Sequence, residues 1–205
     1  MIWRFAIVFL VICGLYAGFE ITRFSWMYYS VRNPAAEFQV RAAEGRQALT
    51  FVEFIDYNCP DCKKLHPAVT DFLAIRKDIR YVARPVVVLH EGASRKLARL
   101  ALAAGIQGKF FEMHDAFLGY PPDQEVNDAF IKQTADLYDI DYDKLVADSA
   151  GKQVDKWMRE NNDAAVTGGV FSTPTLFMGR TVVEQTGKTL TVQDLQRLSE
   201  GSNVE

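Results

Sequence analysis

The sequence predicts an α/β domain, built from a β–α–β unit, an all-helical insertion and a closing hairpin and helix, preceded by an N-terminal transmembrane helix. Three observations predict it. The tetrad Cys59-Pro60-Asp61-Cys62 lies directly between a strand-like run (Leu49 to Tyr57) and a helix-like one (Lys63 to Ile75). From Ser94 to Val166 the apolar residues recur at helical spacing. Phe5 to Phe19 is a run of fifteen uncharged, almost wholly apolar residues behind Met1 to Arg4.

With 205 residues, 49% of them hydrophobic, the chain has material for one well-buried domain and an appendage. The net charge of −3 is small and Lys and Arg are scattered, which excludes the basic patch a nucleic-acid binder needs. No phosphate-cradling glycine motif is present. Of three cysteines, Cys13, Cys59 and Cys62, only the last two pair at short range. A structural disulfide framework shows more cysteines at wider spacings, so a lone CxxC beside a β–α junction reads as redox-active.

Residues 1–24 are expected to form a membrane anchor. A basic residue followed by an apolar run at the N-terminus fits an anchor or a signal peptide better than a core helix. Cleavage after Ala17 would place Leu15 at −3, cleavage after Gly18 would place Tyr16 there, and a lipoprotein site at Cys13 would follow Ile12; none is the small residue required. An uncleaved anchor is the better reading, with a signal peptide as the alternative. Ile2, Trp3 and Ile21 extend the apolar length toward about 30 Å. Trp3, Phe24, Trp26, Tyr28 and Tyr29 suit the two interfaces. Arg4 on one side and Arg23 and Arg32 on the other leave orientation unsettled by charge.

Residues 25–44, with Asn33-Pro34 and little periodicity, read as a linker with a candidate first strand at Phe38 to Arg41. The domain proper occupies residues 45–205. Leu49, Phe51, Phe54, Ile55 and Tyr57 make a strand, interrupted by Glu53 and Asp56; Leu65, Val69, Phe72 and Leu73 mark a helix. Tyr81 to Leu89 gives the second strand. Residues 91–166 are the helical insertion, with Gly105, Gly108, Gly119-Tyr120-Pro121-Pro122 and Gly151 as boundaries. Pro174 to Met178 and Thr181 to Gln185 form a hairpin around Gly179, followed by a helix from Thr191 to Ser199.

At the start of a helix, two cysteines spaced i and i+3 can close a disulfide, and the helix N-terminus stabilises the thiolate left when that bond opens. Cys59, Cys62 and His66 also spell a C-x2-C-x3-H string, but a closed zinc site needs four ligands and the only other cysteine is in the anchor. No metal is expected.

Phe54-Ile55-Asp56-Tyr57-Asn58-Cys59-Pro60-Asp61-Cys62-Lys63, then Gln107-Gly108-Lys109-Phe110-Phe111-Glu112-Met113-His114, then Gly169-Val170-Phe171-Ser172-Thr173-Pro174-Thr175 occur in the order seen in DsbA-like thiol–disulfide oxidoreductases of the thioredoxin superfamily. The chain resembles that family over most of residues 38–200. The resemblance implies a thioredoxin fold interrupted by a helical domain, protein dithiol–disulfide oxidoreductase activity and no cofactor. Implied partners are cysteine-containing protein substrates and a redox partner protein, a membrane-embedded one among the options. With the anchor, it implies a bacterial inner-membrane protein whose catalytic domain lies on the periplasmic or extracytoplasmic side.

Cys59 is then the nucleophile, the more exposed thiol, and Cys62, one turn inside the helix, the resolving one. Pro60 and Asp61 modulate the pair. Asp61 departs from the His often found there, and a carboxylate near the Cys59 thiolate is expected to raise its pKa against the helix dipole. Glu53 falls where the resemblance places a buried acid able to relay a proton to Cys62, and alternation with Phe51 and Ile55 favours burial. Thr173-Pro174 resembles the cis-proline loop that presents backbone to an extended substrate. His90 and His114 have no partner in sequence and read as packing residues, as does His66. Alternative functions are a disulfide isomerase or reductase, or a peptide-holding chaperone module with a structural disulfide.

Overall fold

The computed structural model describes residues 2–47, 49–87, 91–184 and 188–202, and for residues 2–7 and 91 the backbone alone. His90, the end of the second expected strand and Gln185 lie outside the described residues.

The first element, α1, runs Ile2–Arg32 without interruption. Residues 25–32, read from sequence as linker, therefore continue the helix. No Gly or Pro intervenes between Phe19 and Asn33 to stop it, and Pro34 disfavours helical backbone at the residue before it. Its last carbonyls are capped from far along the chain: Arg84 donates to those of Ser30 and Val31, and Arg80 to that of Arg32 at 2.9 Å. Val31 is buried, whereas Phe9, Leu15, Phe19 and Trp26 of the same helix stand exposed.

A 3-10 turn, Glu37–Gln39, leads into the two-residue β1, Val40–Arg41. The first strand is thus shorter than the candidate at 38–41. Phe38 leaves the ladder to pack edge-on against Trp157 and beside Phe110. Its ring fills the space where a Cβ on Gly105 would sit, 2.3 Å away, which explains a glycine here, one residue before the end of its helix and so at the expected boundary. That helix, α3, spans Glu91–Ile106.

β2 (Leu49–Ile55), α2 (Pro60–Ile75) and β3 (Ile79–Pro85) form the β–α–β unit. The insertion contains α3 and then α4 (Phe110–Gly119), α5 (Asp128–Leu137), α6 (Tyr142–Ser149) and α7 (Lys152–Thr167). β4 (Thr175–Met178), β5 (Thr181–Glu184) and α8 (Val192–Gly201) close the chain. The sheet order is β1-β3-β2-β4-β5, with β2 and β3 parallel and the other pairs antiparallel.

All seven residues of the central β2 are buried, because both faces of the sheet are covered. Phe51 and Ile55 face one way with Tyr81 and Leu176, against Leu65, Val69 and Phe72 of α2. Val52 and Phe54 face the other way with Val82 and Phe177, against Ala164 and Ala165 of α7 and Val31 at the end of α1. Strand alternation puts Glu53 on the α2 side. The CxxC follows the C-terminal end of β2; the last turn of α1 lies across the other face of the sheet, from Val31 among Val52, Phe54 and Val82 to Arg32, which donates to the Gly179 carbonyl beside the start of β2.

Candidate active site

Cys59 is the N-cap of α2 and Pro60 occupies the first helical position, where its missing N–H costs nothing. The turn into the helix is set by Asp56, whose carboxylate accepts from Asn58 N at 2.9 Å and whose carbonyl accepts from Cys59 N at 3.0 Å. The first unpaired N–H groups of the helix are therefore those of Asp61 and Cys62, aimed back at the Cys59 sulfur. Both cysteines are free thiols and both are buried; Cys59 keeps 3% of its surface and Cys62 none, so the expected difference in exposure is slight.

Their acidities differ far more than their exposures. Cys59 is held down to about 6, first by the hydrogen bond from the Cys62 thiol, against the opposing effect of burial, and then by the Cys62 N–H, the Thr173 hydroxyl and the Asp61 N–H. Burial pushes Cys62 well up, and its neighbour Cys59 adds to the rise. The thiol of Cys59 donates to the Thr173 carbonyl at 3.3 Å, and the following Thr173–Pro174 bond is cis. Thr173 Oγ1 is buried with no other partner, ready to donate to a thiolate.

The expected opposition from the Asp61 carboxylate is not found. That side chain is exposed and paired with Lys64 Nζ at 3.0 Å, so its charge is turned outward and screened; Asp61 acts on Cys59 through its backbone N–H, which favours the thiolate.

Glu53 is fully buried beneath α2. Oε2 accepts from Tyr81 Oη at 2.6 Å, and Oε1 has no partner. Burial raises its pKa to about 7, against the lowering effect of the Tyr81 hydrogen bond, and the charge of Asp115 adds to the rise. Its charge in turn raises Cys62.

Three functional neighbours escaped the sequence reading. His114, 1% exposed, is a hydrogen-bonded member of the polar core as well as a packing residue: Nδ1 lies 3.1 Å from Tyr57 Oη and Nε2 lies 3.4 Å from Tyr81 Oη. One neutral tautomer satisfies the chain, with Tyr57 donating to Nδ1, Nε2–H donating to Tyr81, and Tyr81 donating to Glu53. Lys63 follows the CxxC and is buried, its ammonium donating to the carbonyls of Pro121 and Gln124 at 3.3 and 2.9 Å. Burial lowers its pKa while the nearby Cys59 favours its charge. A Lys directly after the second cysteine was the available signal. Phe171, two residues before Thr173, is 85% exposed, a large apolar side chain standing in solvent beside the cis-proline loop.

His66 does not complete a cysteine metal site. It turns to Asp115, with Nε2 3.6 Å from the carboxylate, and donor atoms of His66, His114 and Asp115 converge within 4.8 Å of one another. Arg41 already faces that carboxylate at 3.7 Å, a cation where a metal would need uncompensated negative charge. Cys13 is exposed on α1, remote from this chemistry.

The sequence family described as Thioredoxin matches residues 46–198. Among solved structures the chain is similar to a thioredoxin-like oxidoreductase from Silicibacter pomeroyi, at 26% identity and TM-score 0.69, over 82% of this chain and 96% of that one. It also shares the fold of the thiol-disulfide exchange protein alpha-DsbA2 from Wolbachia pipientis, at 22% identity and TM-score 0.71, over 89% and 93% of the two chains. Among curated sequences it is 34% identical over 132 residues to the Na(+)/H(+) antiporter NhaA 3 of Salinispora tropica, matching 63% of this chain and 20% of the antiporter. The chain spans about a fifth of the length of the curated relatives it matches.

Proposed function

The chain belongs to the thioredoxin family, and from that premise we propose that it is a DsbA-like thiol–disulfide oxidoreductase that oxidises cysteine-containing protein substrates. The observation that carries this reading is the split between two adjacent sulfurs, Cys59 held down to about 6 and Cys62 pushed well up, with Cys59 against the Thr173 carbonyl at the cis-proline.

In the oxidised enzyme a substrate thiolate attacks Cys59 Sγ; the substrate–Cys59 bond forms, the Cys59–Cys62 bond breaks, and Cys62 leaves with the electron pair and takes up a proton. Glu53, near neutrality at about 7 and fully buried, is the group suited to supply it. A second substrate thiolate then attacks the substrate sulfur of the mixed disulfide, and Cys59 departs as a thiolate. A low-pKa thiol is the better leaving group and stabilises the reduced enzyme, which favours oxidation of the substrate. Thr173 offers its backbone to an extended peptide and Phe171 an apolar contact beside it.

The reading extends to location. Val8–Arg32 has a mean hydropathy of 1.4 over its apolar window and none of that window is buried. Leaving such side chains in water forgoes roughly 1.5–3 kcal/mol for each large one, so a bilayer is the suitable surrounding. Phe24, Trp26 and Tyr29 lie exposed at the domain end of the helix, where aromatic side chains favour the interface. We assign the domain to the extracytoplasmic side, where disulfides persist.

Alkylation of the reduced protein against pH tests the chemistry. Cys59 should label with a midpoint near 6 while Cys62 stays unreactive, Cys59→Ser should lose turnover, and equilibration with glutathione should yield an oxidising potential. A Cys59 midpoint near that of a free thiol, or turnover surviving in Cys59→Ser, would sink the proposal. Membrane fractionation with an impermeant thiol reagent tests the location; a soluble form, or a site reached only from inside, would overturn it.

A further inference from the structure

The end of the sheet away from the CxxC holds a cavity of about 550 Å³ between the last turns of α1, the start of β2 and β3, and the β4–β5 turn. Arg32, Arg80 and Arg180 reach it, Phe24, Tyr28 and Tyr29 form its apolar wall, and among the described residues no carboxylate lines it.

Two of the arginines are fixed before any ligand arrives. Arg32 lies over the Tyr28 ring at 3.7 Å and donates to the Gly179 carbonyl. Arg80 donates to the Arg32 backbone carbonyl at 2.9 Å, and both arginines line the same cavity. Arg80 is lowered by burial and then by the charge of Arg32, so the two cations are held where they oppose one another. Arg180, on the exposed rim, adds a third. Guanidinium groups present planar forks of N–H donors suited to tetrahedral oxyanions, and pre-positioned ones lose little freedom on binding. Thr50, at the N-terminal end of β2, adds a hydroxyl that already accepts from Gln47 Nε2 at 3.1 Å.

We propose that this cavity binds a phosphate-bearing anion, in the cell the headgroup of an anionic phospholipid, with the aromatic wall against its glycerol and first acyl carbons. The phosphate chemistry follows from the arginines alone; the lipid as its source rests on the membrane reading of α1, whose apolar stretch ends at this cavity.

The test uses the full chain in a maltoside detergent, titrated calorimetrically with dioctanoyl phosphatidylglycerol, dioctanoyl phosphatidylcholine and inorganic phosphate. Phosphatidylglycerol should bind saturably and about tenfold more tightly than phosphatidylcholine, and Arg80→Gln should weaken it about tenfold, the scale of one charge-assisted contact. Arg180→Gln, at an exposed position that leaves the fold intact, should weaken it severalfold. Inorganic phosphate binding as tightly as the anionic lipid would support the anion site with a soluble source. Equal affinity for the two lipids, or arginine variants that bind unchanged, would overturn it. Carbonate extraction of membranes reports on anchoring separately: a protein released by carbonate that still binds in detergent retains the site and loses the anchor.

Discussion

Two buried polar regions lie on opposite sides of the same sheet and solve the cost of burial differently. Beneath the CxxC, Glu53, Tyr81, His114 and Tyr57 make a hydrogen-bonded string of groups that escape by losing their charge: Glu53 rises to about 7, and burial drives His114 well below the usual imidazole range. On the α1 side, Arg84 is 1% exposed and comes down only to about 10, chiefly by burial, so it stays a cation at neutral pH. It survives because acceptors surround it, the carbonyls of Ser30 and Val31 and Asn161 Oδ1 at 3.0 Å. Gln39 then ties Asn161 and the Ala83 carbonyl to the same group. The difference teaches where protons can move. A region that keeps its polarity neutral around one group titrating near pH 7, Glu53, suits the proposed exchange chemistry, and a region that stores it as a permanent charge suits attachment.

The largest effect should come from breaking the permanent charge. Arg84→Met strands the Ser30 and Val31 carbonyls, while Asn161 Oδ1 keeps its bond from Gln39, and with about 1–3 kcal/mol for each the loss should be at least about 2 kcal/mol in urea denaturation. A variant as stable as the parent would mean that the arginine is only tolerated there.

Glu53→Gln attacks the other region and should act with the opposite sign at high pH. With a folded pKa of about 7 against 4.5, the folded protein holds a proton that the unfolded chain has released. The stability this confers is complete below about 4.5 and is lost as pH rises through about 7. The loss is at most about 3 kcal/mol. The glutamine variant should therefore be more stable than the parent at pH 8 and flat across this window, read from denaturation midpoints; an unchanged slope would move the titration to another group.

Tyr81→Phe sharpens the same point. Removing the O–H that holds Glu53 down should move the midpoint of that pH dependence further up and cost about 1 kcal/mol. A downward move would show that the phenol is not the donor. The smallest effect belongs to a charge in neither region: Asp61→Asn should leave the Cys59 midpoint within about half a unit by thiolate absorbance, since its exposed carboxylate is paired with Lys64. A larger fall would restore the repulsion expected from sequence.

What was legible in the sequence were features carried by neighbours along the chain. The strand, the CxxC and the helix are contiguous, Glu53 sits at an alternating position within its strand, and Thr173-Pro174 belongs to a motif recognisable in order. The hidden ones depend on distant partners. Nothing near residues 25–32 announces that Arg80 and Arg84, some fifty positions later, cap that helix and extend it past the apolar run. His114 looks like a packing residue because Tyr57 and Tyr81 reach it from two other elements. The role of Asp61 was misjudged because its partner Lys64 and the direction of its side chain, rather than its charge, decide what Cys59 feels.

The unbroken run of α1 into its arginine cap has a consequence for reach. A flexible tether of twenty residues would let the sulfur wander over roughly 25 Å. A helix bolted to the sheet allows no such wandering: with α1 in a bilayer, the reactive sulfur rides at a set altitude, roughly 20 Å along β2 from the Gly179 carbonyl that Arg32 holds. Its search then becomes two-dimensional, a patrol at constant height, and any membrane protein that exchanges electrons with it must lift its own cysteines to that level.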